Sequence, residues 1–183
     1  SIVRVHRGLY AGKEYWDRLD PHERLRHILR SLSQWHERWA FCGASAAVMH
    51  GLDCSYRQLH PIHVAVGRNS RPRNQRYVRF HVLDDAETVA VDGARVTSIL
   101  RTLVDCAAMM PRRYAMAPID SALRQGKTTV EQMLEYVDAI PMLRDRERIR
   151  AVLAQGDGRV ENGGESECRA VLDELGFPVH RVQ

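Results

Sequence analysis

A chain of 183 residues, 44 % hydrophobic and 27 % charged, can bury one sizeable core, or one core and a fragment of another, but not two complete large domains. No run of eighteen apolar residues is present to cross a bilayer, and Ser1-Ile-Val-Arg-Val-His-Arg7 carries charge within its short apolar stretch, unlike the core of a signal peptide. The net charge is a modest +4, and Cys42, Cys54, Cys106 and Cys168 are spread without a CxxC pair, a pattern expected of reduced thiols in a cytoplasmic protein rather than of a disulfide framework.

Ile2, Val3 and Val5 followed by Arg7-Gly8-Leu9-Tyr10 read as a strand already in progress. Asp20-Pro21-His22-Glu23 is a helix start, with an Asp cap, Pro at the first helical position and Glu at the third. Leu25, Ile28, Leu29, Leu32, Trp35 and Trp39 then recur at helical spacing, so the tryptophan stripe is expected in the core. Cys42 to Gly51 reads as a short helix of small residues that allows close packing on a sheet. The segments 60–66 and 77–83 alternate apolar with polar positions and read as strands, and Asp92-Gly93 marks a hairpin between Thr88-Val-Ala-Val91 and Ala94-Arg-Val96.

From Thr97 onward the period becomes helical. Thr97 or Ser98 caps a helix that ends at Pro111, a second spans about Arg112 to Gln125, Thr128-Thr-Val-Glu131 is a capping box for a third, and a fourth runs from about Leu143 to Gln155. Glycines at 156, 158, 163 and 164 bracket a linker before a last helix from about Glu165 to Leu175. The expected class is mixed α/β (α+β): a small antiparallel sheet with flanking helices, followed by a helical bundle.

Charge is distributed unevenly. Between Asp53 and Asp84 there is no acidic residue, yet Arg57, Arg68, Arg71, Arg73, Arg76 and Arg79 fall there with His60, His63 and His81. A guanidinium fork fits phosphate oxygens bidentately, and positive charge in a projecting loop attracts polyanions through released counterions. These six arginines are therefore the candidate nucleic-acid-binding residues. The competing reading is a solvated basic loop, since Lys13 and Lys127 are the only lysines among the 27 basic residues.

Catalytic and metal chemistry find little support in the residues. Cys42, Cys54, His60 and His63 match no common zinc spacing, and strand residues three apart point to opposite faces. Gly43-Ala-Ser45 before the strand at Ile62 has the outline of a nucleotidyltransferase core, but that strand reads His60-Pro-Ile-His63 and offers no carboxylate to a metal, leaving Ser45 as a packing residue or cap. Asp105 and Asp120, each alone in a helix, are expected in surface ion pairs or caps. No metal or other cofactor is expected.

Several segments together resemble the AbiEi family of type IV antitoxins in its actinobacterial form: Val3-Arg-Val-His-Arg-Gly-Leu-Tyr10, Cys42-Gly-Ala-Ser-Ala-Ala-Val-Met-His-Gly-Leu52, Ile62-His-Val-Ala-Val66, Val96-Thr-Ser-Ile-Leu-Arg-Thr-Leu-Val-Asp-Cys-Ala107 and Asp120-Ser-Ala-Leu-Arg-Gln-Gly126. That family usually begins with a winged-helix domain, so the resemblance makes residues 1–12 a wing-like strand remnant and 13–155 an AbiEi-like α+β domain. It implies a noncatalytic transcriptional autorepressor that binds DNA and opposes a nucleotidyltransferase-like toxin. After the linker at 156–164, residues 165–183, with Glu161-Asn-Gly-Gly-Glu165 leading in, resemble the opening of a very-short-patch-repair-like endonuclease domain of the PD-(D/E)xK class. Glu165 would hold the place of its first-helix glutamate. The Asp and Glu-x-Lys that bind magnesium in that class would lie beyond Gln183.

Three functions remain open on the sequence. The first is the DNA-binding antitoxin-type regulator. The second is the regulatory part of such an endonuclease. The third is a protein-interaction module whose arginine loop docks an acidic toxin surface.

Overall fold

The computed structural model describes residues 1–70, 73–83 and 86–177. Two strands, β1 (Ile2–His6) and β2 (Leu9–Gly12), form a small antiparallel hairpin that turns at Arg7 and Gly8. Gly8 has φ +76°, and a Cβ there would sit 3.3 Å from the Trp35 ring, so both the backbone and the neighbouring indole favour glycine. A short helix α1 (Lys13–Arg18) leads into α2 (Pro21–Trp35). The α2 start forms as expected: the Asp20 carboxylate accepts from Glu23 N–H at 2.9 Å, and the Glu23 side chain accepts from Asp20 N–H at 3.0 Å.

The central sheet has five strands in the order β5-β4-β3-β7-β6, namely Val78–Val82, Ile62–Val66, Ala40–Phe41, Ala94–Thr97 and Thr88–Val91. The mixed α/β class holds: the strands expected between residues 60 and 97 lie in this central sheet, and β1 and β2 form a separate small antiparallel one. The central sheet is larger and mixed in direction: β3/β4 and β6/β7 are antiparallel, whereas β3/β7 and β4/β5 are parallel. The expected Asp92-Gly93 turn closes β6 and β7, with φ of 48° and 78°.

Phe41, Ile62, Val64, Val78 and Val96 point from the sheet into the main core, where they meet Leu25, Ile28, Leu29 and Leu32 of α2 and the wholly buried small-residue helix α3 (Gly43–Met49). Ala40, Cys42 and Ala65 point the other way and form a separate, smaller cluster with Met109 and Leu83. The tryptophan stripe departs from expectation at its end. Trp35 is 55 % exposed because it is the last residue of α2, beyond the turns that reach the sheet, whereas Trp39 is half-buried.

Five helices follow: α4 (Ile99–Met109), α5 (Arg112–Arg124), α6 (Val130–Ala139), α7 (Arg146–Leu153) and α8 (Gly163–Glu174). Ser98 is the cap of α4. The capping box of α6 lies one residue later than the sequence suggests, at Thr129 and Gln132. Asp105 and Asp120 are ion-paired but not at the surface. Asp105 meets Arg101 at 2.8 Å and Asp120 meets Arg169 at 2.7 Å, with the carboxylate side chains 3 % and 0 % exposed. The second pair, with the Asp157 N–H donated to Asp120 at 2.7 Å, fastens α8 against α5, and Ala170 of α8 joins the main core.

Candidate functional site

Parallel pairing of β4 and β5 requires the chain to return along the sheet between Val66 and Val78. Ser70 N–H closes a turn onto Gly67 O at 2.9 Å at the loop's start. Its second half is held by Gln75 N–H to Val78 O at 2.9 Å and by Phe80 N–H to the Asn74 side-chain oxygen, also at 2.9 Å. Arg76 and Tyr77 therefore occupy the tip of a tight turn.

The Arg76 guanidinium lies over the Tyr77 ring, 5.2 Å from its centroid. Tyr77 in turn meets His6 edge to face with centroids 6.0 Å apart, which sets the loop tip beside the β1–β2 hairpin. Burial lowers the pKa of His6, helped by neighbouring His60 and Arg4. Exposed Arg4 and Arg7 of the hairpin thus share a surface with Arg76. Sequence reading singled out neither hairpin arginine as a site, because no local pattern links residue 6 to residue 77.

The predicted arginines do not all converge. Arg73, Arg76 and Arg79 are exposed, and among the described residues none of them forms an ion pair with a carboxylate. Arg68 is exposed as well and is engaged in an interaction of its own. Arg71 lies outside the described residues. Arg57 belongs to a short 3-10 helix, Tyr56–Gln58, and faces a cleft lined by Asp53, Asn162 and Glu167 instead.

Arg79 stands across from His63 in the parallel register, on the face turned away from the main core. There His63 Nδ1 and His81 Nε2 share a hydrogen bond of 2.8 Å and their rings stack. Burial drives the His63 pKa down to about 4, with His81 and then Arg79 adding to the effect, and the His81 pKa is lowered by burial and Arg79. Near pH 7 both imidazoles are neutral, so they add nothing to the charge of Arg79 on this face.

Ser45 is fully buried and its hydroxyl accepts from His63 N–H at 2.9 Å, tying α3 to β4. Among the described residues no group of three or more His, Cys, Asp or Glu is placed to hold a metal ion. Cys54 is buried, which pushes its thiol up to about 12. Glu165 lies in the first turn of α8, where its carboxylate accepts from Glu161 N–H at 2.9 Å and its own N–H donates to the Asn162 side chain at 3.0 Å. Among the described residues no helix is long and apolar enough to cross a membrane.

These features define a sheet-and-helix domain with an arginine-bearing surface. Residues 39–155, more than half of the chain, match the family model described as the AbiEi antitoxin C-terminal domain, and the chain belongs to that family. The match covers the five-stranded sheet and helices α3 to α7; the hairpin, α1, α2 and α8 lie outside it. Similar relatives include two uncharacterized proteins of Mycobacterium tuberculosis, from the CDC 1551 / Oshkosh and H37Rv strains, each 29 % identical over 188 residues. The alignment takes in 100 % of this chain but 64 % of each relative, so the chain spans less than two thirds of their length.

Proposed function

We propose that this protein acts as an antitoxin-type regulator that contacts nucleic acid without catalysis, its arginine loop and hairpin tip following the phosphate backbone of duplex DNA. Membership of the AbiEi antitoxin family supports the toxin–antitoxin role, and the protein it would oppose is a nucleotidyltransferase-like toxin. The observation that carries the DNA reading is the Arg76–Tyr77–His6 contact, which brings two separate basic segments onto one surface. Contacts of this kind position a protein on the duplex and carry no sequence information, so operator choice needs base contacts from other groups or from a partner.

Fluorescence anisotropy with a labelled duplex at low salt tests this. Arg73→Ala/Arg76→Ala is expected to weaken binding by about tenfold or more, from the loss of two charge-assisted contacts. Unchanged affinity in that variant would overturn the reading.

A second reading has its own support. Tyr77 is 48 % exposed beneath the Arg76 guanidinium, and exposed Tyr beside Arg also suits a protein interface. An acidic toxin surface would then occupy the same arginines, and duplex DNA would compete with it.

A further inference from the structure

Beyond the loop and hairpin, one cleft of about 600 Å³ lies at the end of the sheet where the parallel strands β4 and β5 finish. Open sheets commonly bind ligands outside the carboxyl ends of parallel strands, where departing loops leave a crevice. Here the crevice has a cause in the sequence. Ala40 and Ala65 are cross-strand partners at its base, so there the two strands bring little side-chain bulk to a place flanked by longer side chains.

The walls divide by chemistry. Trp39 and Phe80 form one side and meet edge to face, with centroids 5.5 Å apart. His36 stacks on Trp39 at 3.9 Å and fixes the indole. Arg38 and Arg95 supply two guanidinium groups, both exposed and, among the described residues, without a carboxylate partner. Arg95 is steadied by a 3.3 Å hydrogen bond to the Thr88 hydroxyl, and Ser70 adds a second hydroxyl. Gly67, at the rim, has open space where a side chain would stand.

An aromatic wall suits a planar base, and paired guanidinium groups with hydroxyls suit a phosphate. A purely apolar ligand would leave the two cations unanswered. A free phosphate would leave the aromatic wall unused. We infer that this cleft binds a nucleotide unit, its base against Trp39 and Phe80 and its phosphate on Arg38 and Arg95. The unit has two sources, a free nucleoside phosphate or one nucleotide of a single strand. Neither depends on duplex contact by the arginine loop.

Isothermal titration of the intact chain distinguishes these cases, using adenosine and guanosine mono- and triphosphates, adenosine, inorganic phosphate and a short oligothymidylate. Arg38 and Arg95 are surface residues, so their alanine variants keep the fold, which a thermal melt verifies. Nucleoside phosphates are expected to bind at one site and more tightly than adenosine or phosphate alone. Arg38→Ala and Arg95→Ala should each weaken binding about tenfold, and Arg73→Ala/Arg76→Ala should leave it unchanged. If oligothymidylate binds in the same arginine-dependent way and free nucleotides do not, the source is a strand. Absence of binding by every probe, or binding lost only in Arg73→Ala/Arg76→Ala, overturns the inference. That last variant also separates it from the duplex reading, which fails or holds on the loop alone.

Discussion

His63 and His81 illustrate how placement on a sheet sets the charge of a single side chain. The folded chain resists protonation of His63 down to about pH 4, whereas the unfolded chain takes up a proton near the ordinary histidine value of about 6.5. A base with a depressed folded pKa contributes stability that is present above the unfolded value and lost as pH falls toward the folded one. The stability difference between wild type and His63→Gln is therefore expected to shrink by on the order of 2 kcal/mol between pH 6.5 and 4, a discounted figure because the ring is not fully buried. Urea unfolding at several pH values measures it, and a constant difference would contradict the assignment. Burial raises Asp105 to about 6 despite the Arg101 charge, and this acid works in the opposite direction, losing stability as pH rises through the same window. Comparing each variant with wild type keeps the two effects apart.

The Arg101–Asp105 pair also makes a residue-level prediction. Its side chains are 9 % and 3 % exposed, and one Asp105 oxygen has no hydrogen-bond partner among the described residues. Arg101→Met alone or Asp105→Leu alone should cost about 3–5 kcal/mol by stranding a buried charge, and the double substitution should cost clearly less than the sum. A double-mutant cycle in urea decides this. The pair's i,i+4 spacing is legible in the sequence, but its burial is not, because burial depends on what α3 and the sheet place over α4.

At the scale of elements, local signals were legible and long-range ones were not. The Asp20 capping box, the Asp92-Gly93 hairpin and the helices after Thr97 all arise from interactions within a few residues. Strand direction does not. Alternation along β4 and β5 is the same for parallel and antiparallel neighbours, so the strands themselves were readable but not their parallel pairing. Asp120 likewise finds Arg169 far along the chain, a partner that no spacing rule reveals. Asp120→Ala would strand both Arg169 and the Asp157 N–H, and we expect a loss of about 2–3 kcal/mol. Hydrogen exchange should then quicken in α8 more than in α2, and uniform change across both helices would argue against a local clasp.

For the whole molecule, the basic segment was legible as composition, and its shape came from the fold. Sequence placed Arg68, Arg71, Arg73 and Arg76 in one loop between strands, with Arg57 ahead of the first strand and Arg79 on the second. The structure sets Arg76 beside the hairpin, leaves Arg73 exposed in the loop, puts Arg79 on the sheet face with two neutral histidines, and turns Arg57 toward another cleft. Tertiary contact between residues 6 and 77 determined that outcome, and no single-sequence pattern encodes it. On the proposed function, loop and hairpin form one phosphate-contacting surface. Its most direct test is the salt dependence of duplex binding for wild type, Arg73→Ala/Arg76→Ala, Arg4→Ala/Arg7→Ala and the combined variant. Each pair is expected to lower the log-log slope by about two, and the combination by about four. A slope that changes with neither pair, or with the loop pair only, would contradict a shared surface.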